Sequence, residues 1–263
     1  MTGRLEGRVA VVVGAGQTPG ETVGNGRATA ITFSREGARV VLVDRDPDSL
    51  AETAARCSGE TVQVVADVAA DDGPQSIVDG ALAAFGTIDV LHNNVGIGFG
   101  DGPPHRLDES GYDRIMDVNL RAMWRTCKAA VPELRRSGRG AIVNISSLAA
   151  IAAAGNLTAY KMSKAGVNAL TQNLALTNAK YGVRANVIMP GFIDTPMGVD
   201  APARALGGDR AAYAESRASM VPLGRQGTAW DIANAALFLA SDEAAFVTGV
   251  VLPVDGGQSA RVG

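Results

Sequence analysis

Seven short runs rich in valine, isoleucine and leucine alternate with longer stretches of helical pattern along this chain. The runs are Arg8 to Val13, Arg39 to Val43, Thr61 to Ala66, Ile88 to His92, Gly140 to Ile145, Arg184 to Ile188 and Val250 to Pro253. Such runs separated by helices are typical of a parallel sheet covered on both faces. The sequence therefore predicts an α/β fold with a doubly wound, seven-stranded parallel sheet, which binds ligands at the carboxyl edge of its strands.

Composition and charge narrow the class of protein. The 263 residues are 46% hydrophobic and 19% charged, without an internal repeat or long linker, so we expect a single domain over residues 1–263. The net charge of -3 disfavours nucleic-acid and anionic-membrane partners. No apolar run approaches the roughly 20 residues of a membrane span, and the first residues lack the apolar core of a signal peptide. We therefore expect a cytoplasmic protein.

A glycine-rich turn follows the first run. Gly14 and Gly16 end that run, and Gly24, Asn25 and Gly26 stand where the next helical pattern begins. Glycines allow backbone amides to approach a pyrophosphate, and a helix N-terminus adds partial positive charge. The turn lacks the Gly-Lys-Ser/Thr ending of an ATP-binding phosphate loop, so it favours a dinucleotide.

Asp44 indicates which dinucleotide the chain is expected to bind. It ends the second run, where a carboxylate accepts hydrogen bonds from both ribose hydroxyls and repels a 2′-phosphate. Asp44 therefore favours NAD over NADP as the cofactor. Arg45 and Arg27 are the two cations most able to reverse that preference.

Tyr160 and Lys164 stand one helical turn apart, and Ser147 lies thirteen residues before the tyrosine. Residues i and i+4 share a helix face, so the phenol and the ammonium can enter one cleft. An ammonium favours the phenolate, and each unit by which the tyrosine pKa falls requires about 1.4 kcal/mol of differential interaction. A serine hydroxyl beside the phenol can hold a substrate oxygen. Alone, such a pair is equally typical of an ordinary surface helix; the surrounding motifs favour an acid/base site.

No metal-ligand pattern accompanies these residues. Cys57 and Cys127 have no metal-like spacing and are expected to be buried free thiols. His92 lies in an apolar run and is expected to be a packed core residue. The sequence predicts no metal site.

Taken together, these residues resemble the short-chain dehydrogenase/reductase family over nearly the whole chain. The motifs are the glycine turn, Asp44, Ala66-Asp67-Val68, Asn93-Asn-Val-Gly96, Asn119, Ser147, Tyr160, Lys164, Pro190-Gly191 with Thr195, and Thr248-Gly249 before Asp255-Gly-Gly257. The resemblance implies a Rossmann-type domain and an oxidoreductase that transfers a hydride between NAD and a secondary alcohol or ketone.

The resemblance also implies roles for single residues. Tyr160 would be the catalytic acid/base, Ser147 would polarise the substrate oxygen, and Lys164 would bind the nicotinamide ribose and lower the tyrosine pKa. Asn119 would hold a water of the proton relay. The implied cofactor contacts are Arg45 beside Asp44, Asp67 and Val68 at the adenine, Asn93 and Gly96 along the adenosine, and Pro190, Ile193 and Thr195 towards the nicotinamide. For Asn93, Asp67 and Thr195 the alternative is hydrogen bonding within a turn or at a strand end.

The chain departs from the family pattern at two places. In the glycine turn, Val13 replaces the usual threonine and several extra residues lie between Gly16 and Gly24; after the fourth run, Val95 replaces alanine. Gly20 is an alternative third glycine, but the helix would then have to include two more glycines, which is unfavourable. The extra residues either fold over the pyrophosphate or extend into solvent.

The substrate pocket is expected to be apolar. Small apolar residues at 148–154 follow Ser147, and Ile97 and Phe99 follow the fourth run. This pattern favours a hydrophobic or alicyclic ketone or alcohol as the substrate.

Residues 195–225 are expected to form a mobile lid over that pocket. Three of its arginines, Arg204, Arg210 and Arg217, are expected to lie on solvated helix faces. If they instead meet an acidic carrier, the chain is an NADPH-dependent 3-oxoacyl-thioester reductase.

Two further expectations concern catalysis and assembly. A dinucleotide-binding regulatory protein without catalysis is an alternative, which the presence of the whole catalytic set opposes. The helical stretches 108–136 and 157–181 carry apolar surface beyond one face, and in the resembled family such helices pair across a homotetramer.

Overall fold

The computed structural model describes residues 3–153 and 155–261. Its strands are β1 (Val9–Val13), β2 (Arg39–Asp44), β3 (Thr61–Val65), β4 (Val90–Asn93), β5 (Ala141–Ile145), β6 (Arg184–Pro190), β7 (Ile193–Asp194), β8 (Gly227–Thr228) and β9 (Val251–Val254). Seven of them form one sheet in the order β3-β2-β1-β4-β5-β6-β9, and every neighbouring pair is parallel. The predicted seven-stranded parallel sheet is confirmed, with each strand boundary within two residues of the predicted one.

Helices connect the strands and cover both faces of the sheet. They are α1 (Asn25–Arg35), α2 (Pro47–Ala54), α3 (Gly73–Phe85), α4 (Glu109–Met116), α5 (Ala122–Ser137), α6 (Thr158–Asn178), α7 (Ala201–Ala205), α8 (Arg210–Ala218) and α9 (Ala229–Ala240). Residues 117–121 join α4 to α5 as a wider, π-helical turn.

All five residues of β1 are buried, because the sheet has a core on each face. On one face they pack with Ile77 of α3 and Leu134 of α5. On the other face they pack with Phe33 of α1 and Leu237 of α9. Full burial of such a side chain contributes about 1.5–3 kcal/mol, so a strand buried on both faces needs a continuous apolar run rather than an alternating one.

The strand order reverses on either side of β1. This strand pairs with β2 on one side and with β4 on the other. The loops that follow β1 and β4 therefore diverge and leave a cleft at the carboxyl edge, the usual ligand site of an open parallel sheet. The glycine turn and the segment after Asn93 lie at this cleft.

The predicted lid begins and ends at a separate two-stranded sheet formed by β7 and β8. In that sheet Ile193 pairs with Gly227 and Asp194 pairs with Thr228. Between them lie a π-helical turn at 196–200, then α7 and α8. The lid region is thus largely helical, and its mobility stays a prediction.

Cys127 is buried and Cys57, just beyond α2, is only half-buried; both thiols are free.

Over the described ranges, no helix is both long and apolar enough to cross a membrane. In the same part of the chain, no cluster of three or more His, Cys, Asp or Glu side chains is arranged to hold a metal ion.

His92 of β4 is fully buried, as predicted for a packed residue. Its ring meets Phe33 edge-on, with the centroids 6.1 Å apart, and neither ring nitrogen has a hydrogen-bond partner among the described residues. Burial lowers the pKa of His92 to about 3, from an ordinary value of 6.5. The folded protein therefore keeps this imidazole neutral where the unfolded chain protonates it.

This difference predicts how stability depends on pH. Between pH 6.5 and pH 3 only the unfolded state binds the His92 proton, so its contribution to stability is present above pH 6.5 and lost as the pH falls. The free energy of unfolding should fall by about 1.5 kcal/mol more in the natural protein than in His92→Leu between pH 6.5 and 5. Urea unfolding at both pH values measures this, and equal losses in the two proteins would contradict it.

Candidate active site

The turn after β1 forms a backbone cradle at the first turn of α1. Gly14 has φ of +85°, in the left-handed region that favours glycine. A Cβ added to Gly26 would lie 1.8 Å from the carbonyl oxygen of Gly14, so only glycine allows this approach. The helix begins at Asn25, directly after Gly24, and not near Gly20. Unpaired amides at a helix N-terminus fit a pyrophosphate.

The extra residues of the turn, 17–23, are exposed at 18–21 but are hydrogen-bonded to other parts of the chain. The side-chain oxygen of Gln17 accepts a hydrogen bond of 3.0 Å from the backbone amide of Gly24, at the start of α1. The backbone amide of Glu21 donates a 3.0 Å bond to Oδ1 of Asp200, in the lid region. The inserted loop therefore reaches from α1 to the lid.

Asp44 is fixed at the end of β2 by backbone donors. Its Oδ2 accepts from the amide of Gly16 at 3.0 Å, and its Oδ1 accepts from the amide of Arg45 at 2.8 Å. A carboxylate has about four acceptor positions. Asp44 thus keeps acceptor capacity at the carboxyl edge, where a ribose would lie.

Arg27, one of the two cations considered against NAD, is buried between α1 and α2. Its side chain is 1% exposed and forms a 3.0 Å ion pair with Glu52 of α2. It also donates to Ser49 and Thr53. Because its donors are engaged inside the fold, Arg27 is not available to a 2′-phosphate, whereas the side chain of Arg45 is exposed.

Ser147, Tyr160 and Lys164 converge at the carboxyl end of β5. The side chains of Tyr160 and Ser147 are hydrogen-bonded to each other. The Lys164 ammonium lies 5.6 Å from the centroid of the Tyr160 ring and donates a 3.0 Å bond to the carbonyl of Ile145. The sequence-predicted catalytic trio is thus one cluster in the folded protein.

Burial shifts the pKa values of both Lys164 and Tyr160 away from their ordinary values. Burial lowers the pKa of Lys164 to about 8, so most of its ammonium persists at neutral pH. Burial also raises the pKa of Tyr160, and the hydrogen bond with Ser147 opposes that effect only in part. In the cofactor-free chain, desolvation of the phenolate outweighs the Ser147 hydrogen bond, and the role of Lys164 in lowering the tyrosine pKa stays a prediction.

Asn119 lies in the π-helical turn between α4 and α5 and is fully buried. Its side-chain oxygen accepts from the amide of Ile97 at 2.8 Å. Its side-chain nitrogen donates to the Ile97 carbonyl at 2.9 Å and to Ser163 Oγ at 3.1 Å. Both amide hydrogens are used, so the side chain anchors the loop after β4, and the expected water would have to bind the backbone of this wide turn.

Three residues that were predicted to contact the cofactor form local hydrogen bonds. Such bonds were the alternative to a cofactor contact in the sequence analysis. Asn93 donates to Asn144 at 2.8 Å inside the core. Thr195 Oγ1 accepts from a backbone amide at 3.1 Å and caps the turn at 196–200. Asp67 accepts from the amide two residues on, at 2.9 Å. The Asn93 side chain is committed to the core, whereas Asp67 keeps an oxygen and Thr195 a hydroxyl hydrogen for a ligand.

The remaining predicted contacts follow the carboxyl ends of their strands. A Cβ added to Gly96 would lie 3.0 Å from the Lys164 ammonium, so glycine leaves the space that the cation needs. Val68 follows β3, Pro190 ends β6 and Ile193 begins β7, and all three are buried. The predicted set therefore lies along one edge of the sheet.

Comparisons with known proteins agree with this geometry. A family model described as enoyl-(acyl carrier protein) reductase matches residues 21–259. The 3-oxoacyl-(acyl-carrier-protein) reductase FabG of Thermotoga maritima is 37% identical over 257 residues, 97% of this chain and 98% of that protein. Cis-4-hydroxycyclohexanecarboxylate dehydrogenase of Sinomonas cyclohexanicum is 37% identical over 258 residues, 96% of this chain and 97% of that protein.

A solved structure is also similar to this chain. The crystal structure of carveol dehydrogenase from Mycobacterium avium in complex with NAD has a TM-score of 0.91 and 31% sequence identity, and covers 99% of this chain and 100% of that one. The chain belongs to the short-chain dehydrogenase/reductase family. As a short-chain dehydrogenase it is an oxidoreductase that interconverts secondary alcohols and ketones with a nicotinamide cofactor. The non-catalytic alternative is set aside.

Sequence reasoning missed two residues that shape the site of this short-chain dehydrogenase. Asp101 accepts hydrogen bonds from the backbone amides of Ala159 at 3.1 Å and Tyr160 at 2.8 Å. Asn94 donates to the carbonyl of Gly14 at 3.3 Å. Asn94 stands inside a recognised motif and could have been identified; no sequence signal connects Asp101 to a helix almost 60 residues later.

The role of Asp101 predicts a measurable effect. Leu157, at the N-cap of α6, provides no side-chain bond, so Asp101→Ala leaves the first turn uncapped and should destabilise the protein by about 1 kcal/mol. It should also lower kcat by roughly tenfold or more, because misplacing Tyr160 weakens proton transfer. Steady-state kinetics and urea unfolding measure both effects.

The matched control is Asp108→Ala, since Asp108 precedes α4 without a side-chain capping bond. It should lose neither stability nor turnover. A kcat of Asp101→Ala equal to that of the natural protein would show that Asp101 does not position Tyr160.

Proposed function

We propose that this short-chain dehydrogenase uses NAD to oxidise hydrophobic, alicyclic secondary alcohols and NADH to reduce the matching ketones. The observation that carries the proposal is the convergence of Ser147, Tyr160 and Lys164 at the carboxyl edge, beside a glycine cradle and Asp44.

In the proposed reaction Tyr160 exchanges a proton with the substrate oxygen. Ser147 donates a hydrogen bond to that oxygen and stabilises its developing charge. Lys164 holds the nicotinamide ribose, and bound NAD supplies the hydride acceptor. Ketone reduction suits a protonated Tyr160, which burial favours; alcohol oxidation needs the phenolate, which the Lys164 ammonium and the positive charge of the oxidised cofactor favour.

The preference for NAD is supported by Asp44 and Arg27. The carboxylate of Asp44 would face a 2′-phosphate, and Arg27 is engaged with Glu52. We expect NADH to bind roughly ten times or more tightly than NADPH, because a like charge opposes the phosphate. Fluorescence titration of the two reduced cofactors in parallel measures the ratio.

Asp44→Ala should bring the two affinities to within about threefold, because it removes both the ribose acceptor and the repulsion. Arg45→Gln is the control and should keep the NADH preference. Tighter binding of NADPH by the natural protein would contradict the proposal and place a 3-oxoacyl-thioester reductase first.

The alicyclic substrate is supported by apolar surface around the trio. Phe99 and Ile151 are exposed on the segments that follow β4 and Ser147, although Ala154, at the end of the predicted apolar wall, lies outside the described residues. A Cβ added to Gly98 would lie 3.5 Å from the Tyr160 ring. The name of the Sinomonas relative refers to a hydroxycyclohexane ring.

A 3-oxoacyl-thioester is the second candidate substrate, favoured by the identity with the Thermotoga relative. The lid arginines do not favour this substrate, because two of the three are engaged with other side chains of the protein. Arg210 pairs with three carboxylates, and Arg217 stacks 4.0 Å from the centroid of the Phe192 ring. The prediction that both lie on solvated helix faces is wrong, because each contacts side chains on other parts of the fold; only Arg204 of the three is exposed.

Removal of the Tyr160 hydroxyl tests the proposed chemistry. Tyr160→Phe should lower kcat by about a thousandfold or more, since general acid/base catalysis contributes 10²–10⁴ and the bond to Ser147 is lost with it. Its NADH affinity should stay within about threefold of the natural value, because the glycine cradle and Asp44 are unchanged. Turnover of an alicyclic alcohol panel and NADH titration measure the two effects. A fully active variant would exclude Tyr160 as the acid/base.

We also propose that four copies assemble through α5 and α6. Trp124, Met162 and Leu176 on these helices are exposed apolar side chains, and such surface is typical of subunit contacts. The homotetramer and the cytoplasmic location stay predictions.

A further inference from the structure

The inserted loop, residues 17–23, meets the lid at a cluster of charged side chains. We call this cluster the loop–lid latch; it consists of Glu21, Asp194, Asp200 and Arg210. Its members come from three separate parts of the chain. The proposed catalytic chemistry uses none of them.

Arg210, at the start of α8, is the centre of the latch. Its guanidinium lies 2.6 Å from Asp194 Oδ1, 3.2 Å from Asp200 Oδ1 and 3.5 Å from Glu21 Oε2. Three carboxylates thus share one cation. Without that cation they would repel one another, which would weaken the contact between the loop and the lid.

Asp200 couples the loop to the lid through a buried carboxylate. It is 7% exposed, and its Oδ1 accepts both from the backbone amide of Glu21 and from Arg210. Its Oδ2 is buried and has no hydrogen-bond partner among the described residues. A buried carboxylate is tolerated only while its bonds are made, so the contacts to Glu21 and Arg210 depend on each other.

The inserted loop crosses the expected path of the cofactor. At its near end the amide of Gln17 donates to Ser49 Oγ at 2.9 Å, close to Asp44. At its far end Gly20 packs so closely on Pro196 that an added Cβ would lie 2.8 Å from Pro196 Cβ. A dinucleotide that extends from Asp44 to the catalytic trio has its pyrophosphate between these two ends, at the start of α1.

We propose that Arg210 is a positioning residue that latches the inserted loop onto the lid over the pyrophosphate, so that the cofactor enters and leaves only when the latch opens. This inference rests on the proposed NAD function. It gives the insertion and a lid arginine one shared role, the control of cofactor exchange.

The first test uses the cofactor-free protein. Arg210→Gln should increase hydrogen exchange of the Glu21 backbone amide by roughly tenfold or more, because its acceptor on Asp200 is no longer held in place by Arg210. Asp200→Asn, which keeps the shape and removes the charge, should have the same effect and serves if the arginine variant folds poorly. Arg204→Gln, a change at an exposed lid arginine, is the matched control. Protection equal to that of the natural protein in both latch variants would overturn the inference.

The second test measures NADH association and dissociation by stopped-flow fluorescence. In Arg210→Gln both rate constants should rise by roughly fivefold or more, while the Kd changes by less than about threefold, because an open latch removes a barrier common to entry and exit. Arg204→Gln should keep the natural rates. Slower association would overturn the inference, since Arg210 would then act by attracting the cofactor. Unchanged rates would overturn it as well.

The two proposals fail in distinguishable ways. If the natural protein does not bind NADH, the proposed function fails and the latch inference fails with it. If the natural protein binds NADH and Arg210→Gln exchanges it at the natural rate, only the latch inference fails.

Discussion

The buried ammonium of Lys164 is the constraint on which the rest of the site depends. Burial lowers its pKa to about 8, which shows that the fold tolerates a desolvated cation rather than gaining stability from it. The fold accommodates that cation with the carbonyl of Ile145 as acceptor and with a glycine at position 96 that leaves space. The same burial raises the pKa of Tyr160. A cation held 5.6 Å from the centroid of a partly buried phenol ring is therefore the arrangement on which the proposed acid/base chemistry rests.

The loop after β4 contacts both Asn119 and the helix that carries Tyr160. Asn119 holds its backbone at Ile97, and Asp101, further along the same loop, caps the helix that carries Tyr160. A wide π-helical turn brings Asn119 into reach, at the expense of regular helix geometry. The catalytic helix is thus oriented by bonds from outside itself, which explains why its own N-cap, Leu157, is apolar.

The lid shows where sequence reasoning stops. The insertion was visible as extra residues between Gly16 and Gly24, but its path was not, because the loop is held by Asp200, 179 residues after Glu21, and by Arg210, still later in the chain. The same applies to Arg217, whose stacking on Phe192 replaced an expected solvated side chain. An arginine on a polar helix has the same local pattern whether its partner is water or a distant carboxylate.

The sequence by itself determined the parallel sheet and the order of its elements, because strands buried on both faces need continuous β-branched runs. It also placed the glycine turn, Asp44 and the Tyr160–Lys164 pair, because these depend on backbone conformation or on spacing within one helix. Only the tertiary structure decided the protonation of Tyr160, the bonds of Asn119 and Asp101, and the contact between the inserted loop and the lid. Each of those depends on burial or on a partner distant in the chain, and neither quantity is encoded in local pattern.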